Sequence, residues 1–253
     1  MNERRDWTEK ELLVAFALYC RLPFGRLNSR TPDIVEAASA ISRTPSAVSM
    51  KACNFASFDP QHKQRGVKGL GNASRADREL WEQYEADPDA IIARAGLAWV
   101  DVFGEDSDSA EATSEPSMEL EMPEGPATAT VVVNVRRLQG FFRKVVLSAY
   151  GNRCALSEIA QPELLNASHI IPWRDSEQHR LNPRNGIALN ALYDRAFDRG
   201  FFTLDDDYRV IVSKDLPDEL PIFHLHGKQL ALPERFAPDP AFLSQHREVH
   251  FRK

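Results

Sequence analysis

The chain predicts an α+β fold, a small all-α unit followed by a mixed unit of helices and short strands. Three observations carry that expectation. Helical spacing with proline-led starts runs through the first hundred residues, an acidic stretch without apolar periodicity interrupts the middle, and strand-like runs bounded by turn residues occur only after it. With 253 residues, 43% hydrophobic and 27% charged, there is material for two modest cores and too much apolar content for a wholly disordered chain.

The first helix is predicted from Trp7-Thr8-Glu9-Lys10-Glu11, where Thr8 is the N-cap and Glu11 sits three residues on, with Leu12, Leu13, Phe16 and Tyr19 at helical spacing. A second opens at Thr31-Pro32, with Ile34, Ala37, Ala38 and Ile41 on one face, and a third at Thr44-Pro45, with Val48, Ala52 and Phe55 inward. Two short helices joined by a tight turn, after a helix that starts on Trp, predict a helix-turn-helix-like unit. Its outward face is then Ser46, Ser49, Met50, Asn54 and Ser57, with the cations Arg43 and Lys51 toward DNA. The opening Trp-Thr-x-x-Glu is similar to the start of Myb/SANT tri-helical domains. A helical packing domain without DNA contact is the alternative. Gln61 to Gly69 is basic and Gly-rich, which suits either phosphate contact or a solvated loop.

The formal net charge of −6 is concentrated in the middle, with eight acidic and no basic residues between Glu105 and Glu124. The flanking segments sum to about zero and about +2, so the acidity does not oppose nucleic-acid binding elsewhere. The organisation expected is a helical DNA-binding domain over 1–104, an acidic flexible linker over 105–128 and a second globular domain over 129–253. Cys20, Cys53 and Cys154 form no CxxC pair, which excludes a disulfide framework and a four-ligand zinc site built from cysteine spacing. No run of about 18 apolar residues predicts a membrane span, and the polar start is unlike a secretory signal, so the expected compartment is cytoplasmic.

The second half opens with a strand-like Val131 to Val133, then an amphipathic helix from Arg136 to Tyr150 with Leu138, Phe141, Phe142, Val145 and Val146 inward. Arg136 and Arg137 recur one heptad later as Arg143 and Lys144, a basic stripe suited to phosphate backbone. Phe201 to Ser213 reads as a hairpin turning at Asp205-Asp206-Asp207. His224, His226, His246 and His250 in the tail are read as surface or packing residues.

Four blocks lie between these elements: Cys154-Ala-Leu-Ser-Glu, Leu164-Leu-Asn-Ala-Ser-His-Ile-Ile-Pro-Trp173, Asn182-Pro-Arg-Asn-Gly-Ile-Ala-Leu189 and Leu192-Tyr-Asp-Arg-Ala-Phe-Asp-Arg-Gly200. His169 stands where an apolar strand meets the rigid Ile-Ile-Pro turn, which holds its imidazole at a fixed angle, and neutral imidazole can take a proton from water. The order and spacing of the blocks resemble the HNH endonuclease superfamily, in its zinc-free subgroup, over roughly residues 130 to 250. The resemblance implies a ββα-metal nuclease domain acting on DNA phosphodiesters. It implies that His169 is the general base, that the Asn185 side chain braces the His-bearing loop, and that Asp194, nine residues on, holds the metal.

Asp198, one helical turn beyond Asp194, is the second ligand candidate, and Arg199 a phosphate contact. An all-oxygen site suits a hard divalent ion, Mg²⁺ before Mn²⁺ or Ni²⁺, and no structural zinc is expected. One departure matters: Ser168 stands where many HNH enzymes place an acidic ligand, and Tyr193 where some relatives carry a His. Cys154, alone where others start a zinc knuckle, is expected in the core. The leading expectation is a metal-dependent DNA endonuclease of restriction or defence type, with double-stranded DNA as partner and self-association as a homodimer left open. The alternative is a DNA-binding protein with an inactive core. RNA as substrate is not excluded by the sequence.

Overall fold

In the computed structural model, which describes residues 5–66, 73–104 and 126–253, with the backbone alone for 126–133, helix α1 (Glu9–Arg21) starts on the expected capping box. Thr8 Oγ1 accepts from the Glu11 amide, and the Glu11 carboxylate accepts from the Thr8 amide at 2.8 Å. Leu12 to Cys20 are buried all round the helix, so α1 is the axis of the first core rather than an amphipathic surface helix. Around it stand α2 (Pro32–Ala40), α3 (Pro45–Phe58), the short α4 (Pro60–Gln64), α5 (Arg75–Ala86) and α6 (Pro88–Phe103). Proline occupies the first helical position of both α2 and α3, where its missing N–H leaves no hydrogen bond unmade. Phe16 of α1 meets the Phe55 ring edge-on at 5.2 Å and packs on Tyr84, while Tyr19 packs on Trp81.

Helix α7 (Pro126–Ala149) corrects the expectation of a strand at Val131 to Val133: these residues are helical. Three β-branched residues lower helix propensity only slightly, and no Gly or Pro separates them from the amphipathic helix that follows. Extending a helix already nucleated is easier than starting a strand beside it. The expected acidic linker lies outside the described residues as far as residue 125, and residues 126–128 are the first turn of α7. Of the basic stretch expected as a loop, Gln61 to Gln64 belong to α4 and residues 67–69 lie outside the described residues.

Beyond α7, β1 (Leu165–His169) pairs antiparallel with β2 (Gly186–Asn190), with Leu165 opposite Asn190 and His169 opposite Gly186. Helix α8 (Ala191–Asp198) follows directly and packs back on the hairpin, completing a ββα unit. The expected second hairpin forms from β3 (Phe202–Leu204) and β4 (Val210–Val212) around the three aspartates, and Phe202 packs on Phe197 of α8 at 5.3 Å. Helix α9 (Pro240–Val249) closes the second core, with His246 stacked on Phe197 at 4.0 Å and hydrogen-bonded to Thr203. The fold is α+β, as expected.

Two glycines of the sequence blocks have structural reasons. A Cβ at Gly186 would come within 2.4 Å of Val146, so β2 lies directly against α7. Gly200 has φ +70°, and a Cβ there would meet the His250 carbonyl oxygen at 2.0 Å, so the turn out of α8 needs glycine for both conformation and space.

Helix α7 faces both ways. Phe141, Phe142, Val145 and Val146 share a hydrophobic cluster with α1, α2, α3, α5 and α6, as do Leu181 and Phe236 from the second half, whereas Leu147 belongs to the cluster of β1, β2 and α8. Arg235 is fully buried at the seam, where it donates to the Cys20 carbonyl at 2.6 Å and to Ser148 Oγ at 3.0 Å. Among the described residues, no helix is long and apolar enough to cross a membrane.

Candidate active site

The ring of His169 is laid flat on Phe142 of α7, 4.3 Å between centroids and 8° from parallel, with Trp173 edge-on at 5.7 Å. Its Nε2 lies 3.0 Å from the Arg180 carbonyl oxygen. A carbonyl only accepts, so Nε2 carries the proton and Nδ1 keeps the lone pair. Burial lowers the imidazole pKa from its ordinary 6.5 to about 4, opposed by the hydrogen bond to Arg180. At neutral pH the ring is therefore uncharged and able to accept a proton at Nδ1.

Asn185 is buried and spends its whole side chain on the loop between β1 and β2. Its Oδ1 accepts from the Ile171 amide at 2.8 Å, and its Nδ2 donates to the carbonyls of Ile171 and His179 at 3.1 and 2.8 Å. The Ile170 amide also donates to the Asn185 carbonyl at 2.9 Å. The two ends of the loop, 170–171 and 179, are thus tied together through Asn185. Arg180 adds a tie of its own, Nε to the Trp173 carbonyl at 2.9 Å with the guanidinium over the Trp173 ring.

Asp194 forms a second group. It is buried in the first half of α8, and its Oδ2 accepts from Asn166 Nδ2 of β1 at 2.7 Å. Helix α8 is set by its N-cap, Asn190, whose Oδ1 accepts from the Leu192 and Tyr193 amides while its Nδ2 donates to Ser157 Oγ at 2.9 Å. Asn166 and Ser168 alternate along β1 with Ala167 and His169, so they share the strand face that meets α8. Ser168 is buried and its Oγ has no hydrogen-bond partner. Asp198, one turn beyond Asp194, is exposed.

Asn166 was not among the residues singled out from sequence. The available signal was its parity with Ser168, which places a polar side chain on a strand face that a helix covers. Among the described residues no group of three or more His, Cys, Asp or Glu could hold a metal. The donors here are oxygens, the buried Asp194 carboxylate of α8 and the orphaned Ser168 hydroxyl of the β1 face that meets α8. That set fits a hard divalent ion held through few protein ligands and does not fit zinc. Cys154 lies in the core, its Sγ accepting from the Asn190 amide at 3.3 Å.

The cations expected at DNA separate into two classes. Arg136 and Arg199 are exposed, and Arg137 and Lys144 are half-buried on α7. Arg143 instead donates to the carbonyls of Leu165 and Pro162, the latter at 2.9 Å, and so ties β1 to α7. Lys51 and Arg43 are both engaged in ion pairs within the helical half. Lys51 is buried against α5 with its Nζ 2.6 Å from Asp77, which also accepts from Asn54 at 2.8 Å. Arg43 pairs with Glu11 at 2.8 Å, donates to the Arg5 and Asp6 carbonyls and covers the Trp7 ring at 4.7 Å. Helix α5 covers much of the α3 face expected to lie toward DNA; Ser46 and Met50 stay exposed.

No curated protein matches the chain. A family profile described as HNH endonuclease matches residues 154–205, about a fifth of the chain, a span that includes Cys154, β1, the Asn185 brace and all of α8. Over residues 154–205 the chain is therefore similar to HNH endonucleases.

Proposed function

We propose that this protein is a metal-dependent DNA endonuclease that hydrolyses phosphodiester bonds through His169 and Asp194. The observation that carries the reading is the state of His169. Its proton is held on Nε2 by the Arg180 carbonyl, its loop is closed by Asn185, and its charge is suppressed by burial, so Nδ1 is a preset acceptor for the proton of an attacking water. Asp194, oriented by Asn166, is the residue that would hold the divalent ion, Mg²⁺ by the hardness of its donors, with Asp198 as an outer carboxylate. Such an ion, when bound, supplies Lewis-acid stabilisation of charge on the phosphate. The chain's own residues fix the base, exclude its protonated form and present the exposed cations Arg136 and Arg199 to the phosphate backbone.

The biological setting we favour is a restriction or defence nuclease, an analogy of domain arrangement, since fold does not determine biology. Digestion of matched modified and unmodified plasmid tests it. The catalytic test is His169→Ala in the full chain. It should reduce plasmid nicking by about a hundredfold to ten-thousandfold, the share a general base contributes. Mg²⁺ binding measured by calorimetry should stay unchanged, while Asp194→Ala should lose both. Cutting retained by the His169 variant overturns the reading. Binding of DNA without cutting by the unaltered protein, across Mg²⁺, Mn²⁺ and Ni²⁺, would favour a DNA-binding protein with an inactive core.

A further inference from the structure

We propose that Asp89, a residue of the helical half, is a positioning residue for the His169 imidazole, acting through the loop whose carbonyl orients that ring. The inference rests on the nuclease reading above. Three consecutive residues of this loop are held from outside it. The His179 carbonyl accepts from Asn185 at 2.8 Å and the Arg180 carbonyl accepts from His169 at 3.0 Å. The next amide, that of Leu181, donates to the Asp89 carboxylate at 2.7 Å across 92 residues of sequence. Asn185 and His169 lie within the nuclease core; Asp89 reaches it from α6. Its grip falls on the residue directly after the carbonyl that sets the His169 tautomer, and the Leu181 side chain is buried in the cluster of α1, α2, α3, α5 and α6.

The helix does not need Asp89 in order to start. Asp87 is the N-cap of α6, accepting from the Ala90 amide at 3.0 Å, with Pro88 in the first helical position. The Asp89 carboxylate is turned away to the loop instead. Burial raises its pKa, and the Leu181 and Asn182 amides and His179 pull it back down, so its charge depends on the loop as the loop depends on it. Phe142, beneath the imidazole, belongs to the same cluster as Leu181. The ring is therefore clamped between a face and a carbonyl that are both referenced to the helical half.

The test uses the full chain labelled with ¹⁵N-histidine. In the unaltered protein the His169 resonances should report an Nε2-protonated neutral ring. Asp89→Ala should turn that pattern toward a tautomer average and lower kcat on plasmid by about tenfold to a hundredfold, the scale of a small misplacement of a catalytic group. KM should change less than about twofold. Asp89→Asn, which keeps one acceptor oxygen, should recover part of both. Asp87→Ala removes the cap of the same helix without touching the loop, so it should lower Tm and leave the His169 spectrum and kcat in place. An Asp89→Ala protein with an unaltered His169 spectrum overturns the proposal. Where that variant does not fold, an unaltered spectrum in Asp89→Leu, which fills the space without an acceptor, does so. If the unaltered protein never cuts DNA, the nuclease reading falls, and the spectra still decide whether Asp89 sets the ring.

Discussion

At the scale of single residues the proposed chemistry turns on how His169 is kept neutral. Its ordinary pKa of 6.5 is lowered to about 4 because stacking on Phe142 removes water from the charged form more than the Arg180 carbonyl restores it. A general base works deprotonated, so its activity is present above its folded pKa and lost as pH falls through it. Single-turnover cleavage should therefore stay level from pH 8 to about pH 5 and fall only near pH 4. An acid limb centred at the ordinary histidine value would sink the assignment. The same lowering has a consequence for stability. His169 and His246, also lowered to about 4 by burial, must bind protons more weakly folded than unfolded. Their contribution is complete above about pH 6.5 and is lost as pH falls toward 4, so the acid limb must be read where a thermal melt shows folded protein.

At the scale of elements, α3 shows how packing overrides a plausible surface. Its sequence offers Ser46, Ser49, Met50, Lys51 and Asn54 as an outward polar face, but α5 docks on it and brings Asp77, fully buried, to Lys51 and Asn54. Removing one partner of a buried pair leaves a charge without compensation, a loss of about 3–5 kcal/mol, whereas exposed pairs such as Arg75 with Glu79 contribute about 0–1 kcal/mol. Lys51→Ala should accordingly lower the urea midpoint severely. Arg136→Ala should leave stability in place and weaken DNA binding with a shallower salt dependence. A Lys51 variant of normal stability and reduced DNA affinity would restore α3 as a DNA-contacting helix.

At the scale of the whole molecule, α7 is the common wall of both cores. Without residues 1–104, its Phe141, Phe142, Val145 and Val146, together with Leu181 and Phe236, would face water, and Arg235 would lose the Cys20 carbonyl. Exposing a large apolar side chain costs about 1.5–3 kcal/mol. Six of them together are comparable with the about 5–15 kcal/mol of total stability of a domain. The fragment 105–253 should therefore show no cooperative melt by circular dichroism. A cooperative melt with unchanged kcat would mean that the nuclease core stands alone, and that Asp89 is dispensable.

The sequence by itself determined the local features. The capping box at Thr8, the proline-led helix starts, the hairpin around Asp205 to Asp207 and the block order from Cys154 to Gly200 are set by neighbours a few residues apart, and each was legible for that reason. The position of Asn185 beside the His169 loop was legible too, because motif spacing encodes the tie between the ends of one loop. Tertiary structure alone decided what depends on distant partners. Lys51 and Arg43 look exposed until α5 and Glu11 are beside them, and Asn166 looks like an ordinary strand residue until α8 brings Asp194 to it. Asp89 looks like one more acidic residue at a helix start until Leu181, 92 residues away, donates to it. Burial and hydrogen-bond partners are properties of the packed chain, and in one dimension such residues carry no mark.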